Sequence, residues 1–237
     1  MSSSAKEQVL GPIEDQAWAT RLQSHVTTPG PSPRIHGYDV ESDLAPHYGF
    51  ADLLLLAVLG DLPSDEARRA LEIAMSFVAP ISTASAPAHA AMLVRLCGST
   101  SSAAFAAGAF TLAEEARFVV EAHRGFLAHL QGDGANLPAE ALDPSGAERS
   151  SLDRLRAEIA RAGIDLPILA APLTRLAAIL AVFHACGARR PEQVELLLLL
   201  ARLPCVGAEA LATMPTQFKT YPITLPPFRF EAPDARD

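Results

Sequence analysis

The chain has 237 residues, 49% of them hydrophobic and 19% charged, with a formal net charge of −8. The apolar fraction is enough for a sizeable core, so disorder is not the default. The acidic balance argues against a dedicated nucleic-acid surface, which needs clustered Lys and Arg.

Cys97, Cys186 and Cys205 lie far apart in apolar stretches, without CxxC or Cys/His ligand spacing, and read as reduced, buried thiols with no metal site. The N-terminal MSSSAKEQVLGPIEDQ has no apolar signal-peptide core. The apolar runs Leu53–Leu59 and Leu196–Ala201 are too short to span a bilayer. The expectation is a cytoplasmic protein without membrane association.

A short helix at about 13–25 is expected first, separated from the rest by the Pro/Gly/Ser-rich TTPGPSP at 27–33. From Asp52 onward, Leu53, Leu56 and Ala57, then Leu71, Ala74, Met75 and Val78, recur at helical spacing and predict two amphipathic helices. Gly60 is the stop signal between them and Ser64 the N-cap of the second. PISTASA at 80–86 breaks the pattern. A small-residue helix then spans about 86–97, and Gly98-Ser99-Thr100 ends it and caps a second small-residue helix that runs from about Ser101 past Leu127.

Residues 131–152, rich in Gly, Pro, Ser and Asp, predict a surface excursion. Helices are expected again at about 151–162, 166–186 and 191–203, the last opened by Pro191. The proline-rich tail from 216 to 237 reads as an extended arm. With no strand series outside that tail, the fold class is all-α. The implied organisation is a helix and linker at 1–33, a helical domain at 34–215, and the arm at 216–237.

Arg34-Ile35-His36-Gly37-Tyr38-Asp39-Val40, then Phe50-Ala51-Asp52-Leu53-Leu54-Leu55-Leu56, then Gly60-Asp61-Leu62-Pro63-Ser64, together resemble the citrate synthase superfamily, including its short citryl-CoA lyase-like proteins. The resemblance continues through Ser85-Ala86-Pro87-Ala88-His89-Ala90-Ala91 and Cys97-Gly98-Ser99-Thr100. It covers about 34–125, and more faintly 166–206. It implies a citrate synthase-like large-domain helical fold with a shortened or missing small domain, and a homodimer joined through the helices at about 86–97 and 101–128.

The resemblance also implies acid–base chemistry by two His and one Asp on an acyl-CoA substrate. Where the family carries its first His, this chain reads Leu112-Ala113-Glu114-Glu115-Ala116-Arg117-Phe118-Val119, without an imidazole. The stretch 131–152 is too short for the inserted domain that carries the second. The region matching the Asp, Leu173-Thr174-Arg175-Leu176-Ala177-Ala178, has no carboxylate. Substitutes are Glu115, beside the lost His, together with His36 and Asp165. Candidate ligand contacts are His36, His89, Lys219 and Arg229.

Each of these residues also has a plainer reading. His36 and His47 sit in loops, His89 reads as a satisfied core histidine, and His123 and His129 lie on a charged helix face. His184 and Cys186 are two apart and do not share a face. Glu114 and Glu115 point roughly 100° apart on a helix, so a paired catalytic role is disfavoured. Two functions stay open. One is a non-catalytic homodimeric scaffold that keeps a pocket for an acyl-CoA or small carboxylate. The other is an active carbon–carbon lyase or synthase using the substitutes or a partner subunit, with a coenzyme A thioester as substrate.

Overall fold

The computed structural model describes residues 24–132 and 136–216. Nearly all of the expected helix at 13–25, and the arm beyond Thr216 with Lys219 and Arg229, lie outside them. The chain divides into two compact units, Met1–Leu62 and Pro63–Asp237.

In the first unit, three two-residue strands, β1 (Thr27–Thr28), β2 (Arg34–Ile35) and β3 (Tyr38–Asp39), pair antiparallel in that order. This corrects the expectation of no strands outside the tail. The β2–β3 hairpin has a two-residue loop, His36 at φ 47° and Gly37 at φ 88°. Two positive φ values in succession make the turn whose twist matches paired strands. A π-helical turn, Val40–Leu44, follows, and the Asp39 carboxylate caps it by accepting the N–H groups of Glu41 and Ser42, each at 3.0 Å. After the short α1 (Ala45–His47), α2 (Phe50–Leu59) buries Leu54, Leu55 and Leu56 and stops at Gly60, which is left-handed at φ 94°.

The second unit holds α3 (Asp65–Val78), α4 (Ala86–Leu96), α5 (Ser101–Ala122), α6 (Arg124–Leu130), α7 (Arg149–Arg161), α8 (Arg175–Ala185) and α9 (Pro191–Ala212). The fold is all-α. Ser64 and Thr100 cap α3 and α5 as expected, accepting the N–H of Ala67 at 3.2 Å and of Ala103 at 3.3 Å. The axis of this unit is α5, which packs along α4 and α9. Ala91, Ala104, Leu112, Val206 and Ala210 form the core between the three, and a fully buried Leu such as Leu112 contributes about 1.5–3 kcal/mol. Gly108 has no Cβ because there is no room for one: Val206 Cγ1 would lie 2.6 Å from it.

Four boundaries differ from expectation. The helix expected to run past Leu127 breaks at His123, where φ is −108° and ψ 18° and the ring Nδ1 lies 2.8 Å from the Val119 carbonyl. The helix expected over 166–186 is a 3-10 turn, Pro167–Ala170, followed by α8. Pro172 drives the preceding Ala171 to ψ 157°, and Thr174 recaps the chain by accepting the Ala177 N–H at 3.1 Å. Helix α9 runs through Pro204 to Ala212, with Val206 and Ala210 buried beyond the proline. The described part of 131–152 is not all surface: Ala141 is buried, and its carbonyl accepts the Thr174 N–H at 2.8 Å.

Candidate functional site

Helices α5, α8 and α9, with Val78 at the end of α3 and Pro80 beyond it, line a cleft of about 180 Å³. From α5 it takes Leu112, Glu115, Ala116 and Val119, whose spacing of three and four residues places them on one helix face. Arg175, Leu176 and Ile179 enter from α8, Leu198 and Arg202 from α9. The two segments matched to the family's catalytic region, 112–119 and 173–178, thus meet in one place.

Arg202 Nη1 donates to Glu115 Oε1, with the Arg202 and Glu115 side chains 19% and 28% exposed. The Arg202 Nε is buried without a hydrogen-bond partner. Arg175 is exposed, and its backbone N–H donates to Glu148 Oε2 at 2.7 Å, which ties the start of α8 to the loop before α7. Two guanidinium groups and one carboxylate therefore share an otherwise apolar cleft. A planar guanidinium donates two parallel hydrogen bonds to a carboxylate, and this is the chemistry the cleft offers.

A larger depression of about 450 Å³ lies between the loop 143–146 and α7. Three of its charged groups, Asp143, Asp153 and Arg156, are already used by the fold. Arg156 donates to the Leu169 carbonyl and to Asp153, while Asp143 accepts from Ser145, Gly146 and Glu148. The Ser145 hydroxyl first, then the Glu148 N–H, hold the Asp143 carboxyl below the usual carboxylate range.

Of the candidate site residues among the described residues, Glu115 alone lines the cleft. Asp165 is exposed after α7, on a separate depression, and is not brought to Glu115. His36 belongs to the first unit, half-buried in the hairpin turn, and its Nε2 is buried without a partner. His89 is exposed on α4 rather than buried in a core. Small residues let α4 approach its neighbours, but its outward face is solvated. Glu114 is exposed and paired with Arg117 at 2.9 Å, an ordinary helix-surface pair. His129 is half-buried, its ring stacked on Phe126 at a centroid distance of 6.5 Å.

The buried His184 lies against the Arg189 guanidinium. Burial first and Arg189 second lower its pKa. The Cys186 thiol donates to the Ala67 carbonyl at 3.3 Å, and burial pushes its pKa up to about 12, so it is no nucleophile. Cys97 is exposed and Cys205 half-buried, so only one of the three thiols is fully buried as expected. Among the described residues no group of three or more His, Cys, Asp or Glu could hold a metal ion, and no helix is long and apolar enough to cross a membrane.

The sequence reading missed Arg175 and Arg202. A signal for the second was present: Arg202 is a lone charge following the apolar run Leu196-Leu197-Leu198-Leu199-Leu200-Ala201.

The helical fold is citryl-CoA lyase-like. The chain is similar in structure to citryl-CoA lyase from Hydrogenobacter thermophilus, with a TM-score of 0.59 and 16% identity over 91% of this chain and 96% of that one. It is also similar to ATP citrate lyase from Methanosaeta concilii in complex with (3S)-citryl-CoA (TM-score 0.57, 14% identity). A third similar structure is ATP citrate lyase from Methanothrix soehngenii in complex with citrate and coenzyme A (TM-score 0.54, 14% identity). The match covers 92% of this chain in both cases, but 43% of the ATP citrate lyase chains. At these identities the likeness is one of fold. No protein-family model matches the chain, and no curated protein matches it in sequence.

Proposed function

We propose that this protein is a non-catalytic, cytoplasmic homodimer on a citryl-CoA lyase-like scaffold, whose cleft between α5, α8 and α9 binds a small carboxylate. The observation that carries the reading is the composition of the cleft: Arg175 and Arg202 with Glu115, and none of the second unit's four histidines. Enolate chemistry of the kind the resemblance implied needs a positioned base and a hydrogen-bond donor at the developing charge. The one carboxylate here is held by Arg202 instead.

Size supports the smaller of the two ligand classes expected from the sequence. Pockets for drug-sized ligands enclose roughly 300–1,000 Å³, and about 180 Å³ is too little for an acyl-CoA. A small carboxylate fits. The apolar surface supports a dimer: Phe110 and Phe118 on α5 are 72% and 71% exposed. Beside them Phe105, Ala106 and Ala109 face Leu203, Pro204 and Gly207 across an apolar groove of about 520 Å³. An obligate interface there would bury more than about 2,000 Å².

A second reading, an active lyase with Glu115 as base, is favoured by one observation. The similar citryl-CoA lyase is covered over 96% of its length, so lacking a large inserted domain is no bar to that fold. Oxaloacetate formation from citryl-CoA, the lyase reaction that leaves acetyl-CoA as the other product, separates the two. The scaffold reading expects none above background, and turnover at about 1 per second or faster, within the ordinary enzymatic range, would establish the second reading in its place.

A further inference from the structure

Resting on the carboxylate reading of the cleft, we infer that Glu115 makes it selective for short-chain monocarboxylates with an apolar body, and that it rejects di- and tricarboxylates. Three observations converge. The fixed charge is two guanidiniums against one carboxylate, a surplus of one positive charge, which one ligand carboxylate neutralises. A second ligand carboxylate inside so small a space would lie within a few ångströms of Glu115, where like charges repel strongly at low effective dielectric. The remaining lining is apolar, with Leu112, Val119, Leu176, Ile179 and Leu198 among it, and has no side-chain donors for further oxyanions.

Volume sets the chain length. A dry apolar cavity of about 150 Å³ takes up benzene, and this cleft measures about 180 Å³. That is room for a branched or linear acid of four or five carbons. Citrate carries two carboxylates beyond the one that the surplus charge neutralises. Glu115 thus acts as a specificity-determining residue through repulsion, a role distinct from attraction by Arg175 and Arg202.

The test is calorimetric titration of the full chain with isovalerate, glutarate and citrate, for wild type, Glu115→Gln and Arg175→Gln, each checked for an unchanged melting transition. Wild type should bind isovalerate with a Kd below about 1 mM and citrate at least tenfold more weakly. Glu115→Gln keeps a hydrogen bond to Arg202 but removes the charge. It should raise the affinity for glutarate relative to isovalerate at least about fivefold, because a dianion gains more than a monoanion. Arg175→Gln should weaken all carboxylates. If wild type binds citrate as well as isovalerate, and Arg175→Gln weakens both, the carboxylate cleft stands and the selectivity is wrong. An unchanged glutarate-to-isovalerate ratio in Glu115→Gln likewise overturns the selectivity alone. If neither wild type nor Glu115→Gln binds any of the three acids, both readings fall.

Discussion

Replacing Gly108 by Ala tests whether α4, α5 and α9 meet as closely as the fold requires. The new Cβ would lie 2.6 Å from Val206 Cγ1, 3.0 Å from Ala91 Cβ and 3.4 Å from the Pro87 carbonyl oxygen. Neither of the two nearest atoms is the end of a flexible side chain, since Val206 is β-branched and Ala91 sits on a helix. Overpacking of this kind costs about 1–3 kcal/mol, against a helix-propensity gain of about 1 kcal/mol for Ala over Gly. The net expectation is a destabilisation of about 1 kcal/mol, read from urea denaturation. Val206→Ala should cost about 1–3 kcal/mol on its own through the cavity it leaves. The double variant should be more stable than the sum of the two, by a coupling of about 0.5–3 kcal/mol. A stabilised Gly108→Ala protein, with no coupling to Val206, would refute the close three-helix packing.

Light scattering should give twice the 25.1 kDa chain mass at micromolar concentration, and Phe110→Glu on the exposed face of α5 should yield monomer; a wild-type monomer would contradict the dimer. Because burial and Arg189 lower the His184 pKa, the unfolded chain takes up the proton more readily than the folded one. The neutral ring's contribution is complete above the ordinary value of about 6.5 and is lost as pH falls from there through the lower folded value. The melting temperature should therefore fall more steeply between about pH 7 and pH 5 in wild type than in His184→Gln, and parallel slopes would contradict this. A thiol reagent at mildly alkaline pH should modify the exposed Cys97 quickly and leave Cys186 unreacted until unfolding, as follows from its burial and a pKa near 12; equal rates would mean that α8 opens readily.

Local signals were legible where one residue sets the backbone. Gly60 at φ 94°, the Ser64 and Thr100 caps and the Pro191 start all lie where their chemistry placed them. Misreadings arose where tertiary contacts decide. Pro204 signals a helix end, yet α9 continues because Val206 and Ala210 are buried against α5. The break at His123 has no proline behind it and rests on the ring's bond to the Val119 carbonyl. Apolar periodicity over 166–186 masked Pro172, which was the better guide. Glu115 could be singled out from the resemblance, whereas its partner Arg202 lies 87 residues further on and only the packing of α9 on α5 joins them. The small sheet is not legible in the sequence because two-residue strands carry no alternation to read, and its only local signal is the hairpin turn at His36-Gly37.

The most direct test of the cleft as the functional site is a crystal structure of the protein grown with isovalerate. The carboxylate is predicted to bridge the Arg175 and Arg202 guanidiniums, with its apolar body against Leu112 and Ile179. An acid bound elsewhere, with the cleft between α5, α8 and α9 empty, would contradict the assignment.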